Sequence, residues 1–314
     1  MMKKVIISGA TSMIGLALIR KCIEENIEVL ALVNSESKRK DRLPIDEKIT
    51  VVECDLANME EDIFKHKISK DYDVFYHLAW AGTSHLGRQD VKIHLKNVSY
   101  TIDAVEIASK LGCYKFIGAG SQAEYGRKNE ALSGTTETNP EVPYGIAKLC
   151  AGQMSKVRCE QLKLQHVWTR ILSAYGPFDN ENTIIPLLIK TLINKEHFKT
   201  TEGKQIWELI YVDDVANALF LIGKYGINGK VYPIGTGDAR PLRDFLEIAK
   251  TQIDSDVELG YGEIEYGNKQ VMHLEADISE LTEDTGFLPQ ISFEEGIKRT
   301  IDFYRRREKN WNKK

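Results

Sequence analysis

The stretch Lys4-Val5-Ile6-Ile7-Ser8-Gly9-Ala10-Thr11-Ser12-Met13-Ile14-Gly15 decides how this chain is read. A β-branched apolar run that turns at a glycine and opens into the amphipathic stretch Met13–Glu24 predicts strand, tight loop and helix. Glycine is needed where a backbone turns sharply or lets a ligand approach. The amides and positive end of the following helix form an anion site suited to a pyrophosphate. Gly9 and Gly15 are weak evidence as a bare pair, but between a strand and a helix they fit a dinucleotide fingerprint. Gly9, Thr11, Ser12, Met13, Ile14 and Gly15 are therefore the first candidates for cofactor contact.

Outward from this unit, apolar runs recur at residues 29–33, 51–53, 74–78, 115–118 and 167–172, each followed by helical periodicity. Strands that alternate with helices need crossover connections. The predicted fold is α/β, a Rossmann-like doubly wound parallel sheet with ligands at the carboxyl ends of its strands. The rhythm breaks after Tyr175-Gly176-Pro177. Residues 184–192 read as a helix, 198–209 as polar and irregular, 231–235 as one more sheet strand, and 242–252 and 293–306 as helices. The predicted division is discontinuous: residues 1–174 plus 212–236 bind the dinucleotide, and 175–211 plus 237–314 form a smaller α/β substrate domain. The basic end, residues 305–314, reads as a solvated tail.

A chain of 314 residues with 42% hydrophobic and 28% charged content is an ordinary globular protein of about two domains. Forty-two Lys+Arg against 46 Asp+Glu, a net charge of −4, is too balanced for a chain built to coat nucleic acid or an anionic membrane. Five cysteines without a Cys-x-x-Cys pair support neither a disulfide framework nor a zinc site, so no metal is expected and a cytoplasmic location is. The apolar run after Met1-Met2-Lys3-Lys4 ends too soon for a signal peptide, and no run is long enough to span a membrane.

The second strand ends at Val33-Asn34, where an NAD site usually places an acid on the ribose 2′-hydroxyl. Asn34 stands there, and Lys38, Arg39 and Lys40 follow Glu36, a loop suited to a 2′-phosphate. NADP(H) is expected over NAD(H). Asp55, after the third strand, is placed either to accept from an adenine amino group or to cap a helix.

Tyr144 and Lys148, four residues apart, share one face of a helix. An ammonium beside a phenol stabilises the phenolate and brings a group that ordinarily titrates near pKa 10 toward working pH. Ser121, upstream at the end of a strand, adds a hydroxyl able to bind the oxygen of a reacting carbinol or ketone.

The order of glycine loop, Ser121 and Tyr144-x-x-x-Lys148 resembles the extended short-chain dehydrogenase/reductase family, the NAD(P)-dependent epimerases, dehydratases and reductases of nucleotide sugars. The resemblance extends over Asp55-Leu56, His77-Leu78-Ala79, Asn97, residues 121–126, Arg170 to Pro177, Tyr211-Val212-Asp213-Asp214 and Ala276-Asp277-Ile278. It implies that Tyr144 is the general acid/base, that Lys148 binds the nicotinamide ribose and lowers the pKa of Tyr144, and that Ser121 orients a sugar hydroxyl. Leu56, Leu78, Ala79, Trp80 and Asn97 would line or support the cofactor. Residues 82–88, including Thr83 and Ser84, would frame the sugar with Gln122, Asn182, Trp207 and Lys269. The family's 4,6-dehydratases carry Asp and Glu after the catalytic hydroxyl residue, where this chain has Gln122 and Ala123. Trp207 stands where a phosphate-gripping arginine is usual, and Lys269 is the nearest cation to the place of a second. The resemblance also implies a homodimer. The leading expectation is NADPH-dependent reduction of a nucleotide-linked 4-keto-6-deoxyhexose at carbon 4. The alternatives are an NAD-dependent UDP-hexose 4-epimerase and a non-catalytic dinucleotide sensor.

Overall fold

In the computed structural model, which describes residues 2–311 except residue 85, the first strand, β1 (Lys4–Ser8), is an interior strand of a seven-stranded sheet. Its neighbours are β2 (Glu28–Val33) and β4 (Val74–His77); β3 (Ile49–Glu53) lies beyond β2. On the other side β4 is followed by β5 (Lys115–Ser121), β6 (Gln165–Ile171) and the strand Val231–Ile234. Every pairing in this sheet is parallel. The order reverses between β1 and β4, and the carboxyl ends on either side of that switch point open a crevice.

Both faces of the sheet are covered, so alternate residues of one strand enter different cores. Val5 and Ile7 join Leu18, Val167 and Leu219 on one face; Ile6 joins Leu30, Phe75, Val105 and Phe116 on the other. Helix α1 (Met13–Glu24) lies against α6 (Val212–Tyr225) over the first core. The short α2 (Met59–Phe64) and α3 (Val91–Lys110) cover the second, and α3 packs along α4 (Pro143–Gln161).

Past Tyr175 the chain builds a smaller region from α5 (Ile184–Ile193), α7 (Leu242–Ile253), α8 (Ser279–Thr285), α9 (Phe293–Trp311) and short strand pairs. Residues 198–209 differ from the irregular segment expected. They hold the strands Phe198–Thr200 and Ile206–Trp207, whose partners are the distant Leu259–Tyr261 and Arg240–Pro241. Two- and three-residue strands carry too little periodicity to be seen without those partners. The basic end is also more structured than a tail: α9 continues to Trp311, and Arg305 donates to the Ile253 carbonyl at 2.8 Å. Residues 312–314 lie outside the described residues.

Candidate active site

The crevice floor is the turn after β1. Gly9 has φ +71°, and a Cβ there would lie 2.9 Å from the Ala79 amide nitrogen, so only glycine lets the β1 and β4 mouths close together. A Cβ on Gly15 would collide with the Gly9 carbonyl oxygen. Ser12, where the family's middle glycine is usual, has φ −74° and needs no glycine; its Oγ caps α1 by accepting from the Gly15 amide at 3.0 Å. The amides of Met13 and Ile14, in the first turn, are beyond the reach of intrahelical carbonyls and face the crevice mouth as anion donors. This cradle fits a pyrophosphate. Beneath it Ser8 Oγ bonds His77 Nδ1 at 3.0 Å and accepts from the Ala79 amide at 3.3 Å; burial pushes the His77 pKa down to about 3 and keeps the ring neutral.

At the mouths of β2 and β3, Asn34 Nδ2 donates to Asp55 Oδ2 at 3.2 Å, and Asp55 Oδ1 accepts from the Ala57 amide at 2.8 Å. Of the two roles open for Asp55, the cap is thus formed, with Leu56 beginning the capped turn. Thr11 reaches the next loop through Ser37, hydroxyl to hydroxyl at 3.4 Å. In the basic run, Lys40 is ion-paired with Glu53 of β3, while Lys38 and Arg39 are exposed.

Tyr144 and Lys148 lie on the first turns of α4, which Pro143 opens at a position where the missing amide costs nothing. Ser121 ends β5 and starts a tight turn in which Glu124 Oε1 accepts from the Ser121 amide at 2.8 Å. Glu124 is itself fixed by Arg170 Nε at 2.8 Å and by the Trp168 indole. Burial raises the Tyr144 pKa, an effect that the nearby Arg88 guanidinium and Ser121 hydroxyl only partly oppose. Ser121, Tyr144 and Lys148 therefore converge, from β5 and α4, beside the β1 turn.

Lys148 has neighbours besides Tyr144. Lys148 Nζ donates to the Ala119 carbonyl at 2.6 Å and sits 3.8 Å from the Trp80 ring centroid, with the Tyr144 ring 5.9 Å away. Burial pushes its pKa down to about 7. Asn97 grips the Ala81 backbone in both directions, accepting at 3.0 Å and donating at 2.9 Å, which fixes the chain beyond Leu78, Ala79 and Trp80.

The expected sugar contacts are spread around this centre. Thr83 and Ser84 are exposed in the loop before α3, Gln122 is half-buried beside Ser121, and Asn182 is exposed before α5. Trp207 is half-buried, with Arg240 directly across the two-stranded ribbon from it; Lys269 is exposed in the loop before residue 276. Three side chains escaped the sequence reading: Arg88 for its contact with Tyr144, Arg240 opposite Trp207, and the wholly buried Glu208. Glu208 had one signal, a charge inside an otherwise apolar strand-like run.

Comparisons with known proteins bear on family and fold. Residues 5–235 match the model of the NAD dependent epimerase/dehydratase family. CDP-abequose synthase of Salmonella muenchen is 27% identical over 306 residues, covering 95% of this chain and 97% of the relative. The solved UDP-N-acetylglucosamine 4-epimerase of Methanobrevibacter ruminantium M1 superposes with a TM-score of 0.88 at 25% identity, over 98% of this chain and 99% of that one. The UDP-glucuronic acid 4-epimerase of Bacillus cereus, solved in complex with NAD, has a TM-score of 0.84 at 20% identity, over 96% and 99%. NAD is likewise the dinucleotide in other solved structures of this fold, and this corrects the expectation of NADP(H). The loop gives the physical reason: the basic run after Asn34 is partly neutralised by the Lys40–Glu53 pair, and Lys38 and Arg39 are left in solvent rather than gathered into a phosphate site. The chain belongs to the NAD dependent epimerase/dehydratase family, the nucleotide-sugar-modifying enzymes of the doubly wound fold.

Proposed function

We propose that this enzyme is an NAD-dependent 4-epimerase of a nucleotide-activated sugar. The observation that carries the reading is the convergence of Ser121, Tyr144 and Lys148 beside a pyrophosphate cradle, on a chain that aligns nearly end to end with a UDP-N-acetylglucosamine 4-epimerase. NAD supplies, when bound, a reversible acceptor for the hydride of carbon 4. Tyr144 takes the proton of the C4 hydroxyl as that carbon is oxidised and returns it when the ketone is reduced from its other face. Ser121 holds the same oxygen, first as hydroxyl and then as carbonyl. Gln122 and Ala123 offer no acid pair for eliminating water, which disfavours a 4,6-dehydratase. The reductase expectation rested on NADPH and loses its main support with the correction to NAD.

The test is to purify the chain, assay its retained dinucleotide, and supply UDP-hexoses, UDP-N-acetylhexosamines, UDP-hexuronates and their CDP and dTDP counterparts. The reading expects retained NAD and a C4 epimer without added cofactor. Steady consumption of added reduced dinucleotide with a 4-keto-6-deoxyhexose would establish reduction instead, and NAD binding without turnover of any sugar would leave a sensor.

We further propose that two copies pair through α3 and α4. Ile146, Cys150, Met154 and Val157 form a stripe along α4 at helical spacing, and Leu95 of α3 extends it; Leu95 is 65% and Val157 54% exposed. Sedimentation at micromolar concentration should give a dimer, and Val157→Glu should give a monomer.

A further inference from the structure

We propose that the cavity beside Glu124, between α4, β6 and the loop of residues 135–138, binds a small oxyanion that carries a hydroxyl proton, and that its occupant acts on the crevice through Glu124. The binding stands apart from the crevice; its effect on turnover rests on the reading of Ser121 as the group that holds the reacting oxygen.

The cavity measures about 370 Å³, within the range of small-molecule pockets, and none of Ser121, Tyr144 and Lys148 lines it. One wall is α4, at Leu149, Gly152 and Lys156; the facing wall is β6, where His166, Trp168 and Arg170 stand at alternate positions and so share one side of the sheet. Gly152 leaves room for the indole, since a Cβ there would lie 2.8 Å from the Trp168 ring. Leu149, Trp168 and Val231 make much of the lining apolar.

Two buried side chains in this lining keep unused hydrogen-bonding capacity. Arg170 is 5% exposed; its Nε donates to Glu124 Oε2 at 2.8 Å, and Nη1 has no partner among the described residues. His166 is 3% exposed, and burial, aided by the nearby Lys156 ammonium, pushes its pKa down to about 4 and keeps the ring neutral. Ser155 Oγ gives its proton to the Gly152 carbonyl at 3.1 Å, so His166 Nε2, 2.9 Å from the same oxygen, is the donor of their bond. Nδ1 is then an acceptor without a donor among the described residues. A buried donor and a buried acceptor left unmet are both costly, and one hydroxylated anion answers both.

The four charges of the lining divide in favour of an anion. Glu124 is engaged by Arg170, the Trp168 indole and the Ser121 amide. Glu137 is 90% exposed and lies 3.9 Å from Lys128. Lys156 leans across toward Gly229, where a Cβ would lie 3.8 Å from its Nζ. Glu124 also joins the cavity to the crevice, because one oxygen meets Arg170 and the other accepts from the Ser121 amide at 2.8 Å. An oxyanion that draws the guanidinium to itself weakens the hold on Glu124, and with it the turn that aims Ser121.

The experiment titrates the NAD-bound protein with inorganic phosphate, citrate, sulfate and chloride at constant ionic strength, following the heat of binding and tryptophan fluorescence. Phosphate keeps a proton at neutral pH and citrate a hydroxyl, whereas sulfate has neither. Phosphate and citrate should saturate, the tighter of the two naming a phosphoryl or a carboxylate source; sulfate should bind about tenfold more weakly and chloride should not saturate. Lys156→Met should weaken phosphate about tenfold, and Leu149→Trp, which fills the cavity, should abolish its binding. Saturating phosphate should lower wild-type turnover about fivefold and leave that of Leu149→Trp unchanged. Binding that survives Leu149→Trp would lie in the crevice and overturn the proposal, as would titrations without saturation. Sulfate binding equal to phosphate would remove the part given to His166, and cavity binding with unchanged turnover would overturn the link through Glu124. Absence of turnover with every sugar would defeat the epimerase reading instead, with the binding titration still decisive. Circular dichroism confirms that each variant is folded, and Gln153→Trp serves should Leu149→Trp fail to fold.

Discussion

The mouth of β1 and the mouth of β5 lie in one crevice but are built from different materials. At β1 the groups offered to a ligand are backbone: amides aimed by a helix end, and two glycines required because Cβ atoms would strike Ala79 and Gly9. At β5 and α4 they are side chains, Ser121, Tyr144 and Lys148, whose roles depend on what other elements bring up to them. A backbone site is specified by a few adjacent residues. A side-chain site is specified by residues scattered along the chain, so its outline is legible sooner than its electrostatics.

That contrast is open to breakage, and the largest effect is expected at the side-chain end. Tyr144→Phe should lower turnover by about 10² to 10⁴-fold while NAD binding, followed by fluorescence titration, stays within about twofold. Loss of both together would mean that the two sites are not separable. At the backbone end Gly15→Val should do the reverse. Its branched side chain has no room against the Gly9 carbonyl, so NAD affinity should fall by about tenfold to a hundredfold. Saturating NAD should restore most of the turnover; turnover that stays low at saturation would show that the loop also shapes the catalytic pocket.

The same contrast explains how much could be read from sequence. The alternation of apolar runs with helical periods gave β1 to β6 and α1 in place, because a buried parallel sheet repeats its signal over many residues. The short strands of the smaller region carry no such repetition and exist through distant partners, as Ile206–Trp207 does through Arg240–Pro241. At the site, the spacing of Tyr144 and Lys148 placed both on one helix but could not reveal that Lys148 also meets Trp80 and the Ala119 carbonyl, or that Arg88 stands over the Tyr144 ring. The basic loop after Asn34 misled for the same reason, since the Lys40–Glu53 pair joins residues on separate elements. Charge on a sequence is a count, whereas charge in a site is a distance.

Glu208 extends this lesson to a residue with no sequence role assigned, and its expected effect is the smallest and most specific. It is wholly buried where the smaller region meets the end of the Val231–Ile234 strand, and Gly235 packs against it so closely that a Cβ there would collide. Oε2 accepts from the Gly237 amide at 3.0 Å, Oε1 has no hydrogen-bond partner among the described residues, and burial pushes the pKa up to about 7. Between the ordinary carboxyl range and pH 7 the folded protein therefore holds a proton that the unfolded chain has released. Stability from this group is present at low pH and is lost as pH rises through that window, the opposite of an ion-paired carboxylate. Glu208→Gln keeps an acceptor for Gly237 and cannot titrate. The variant should lack this decline, so its Tm should gain on the wild type by roughly a few degrees between about pH 5 and pH 8. Parallel Tm curves for the two proteins would mean that Glu208 titrates alike in both states and that its burial is relieved by water reaching Oε1.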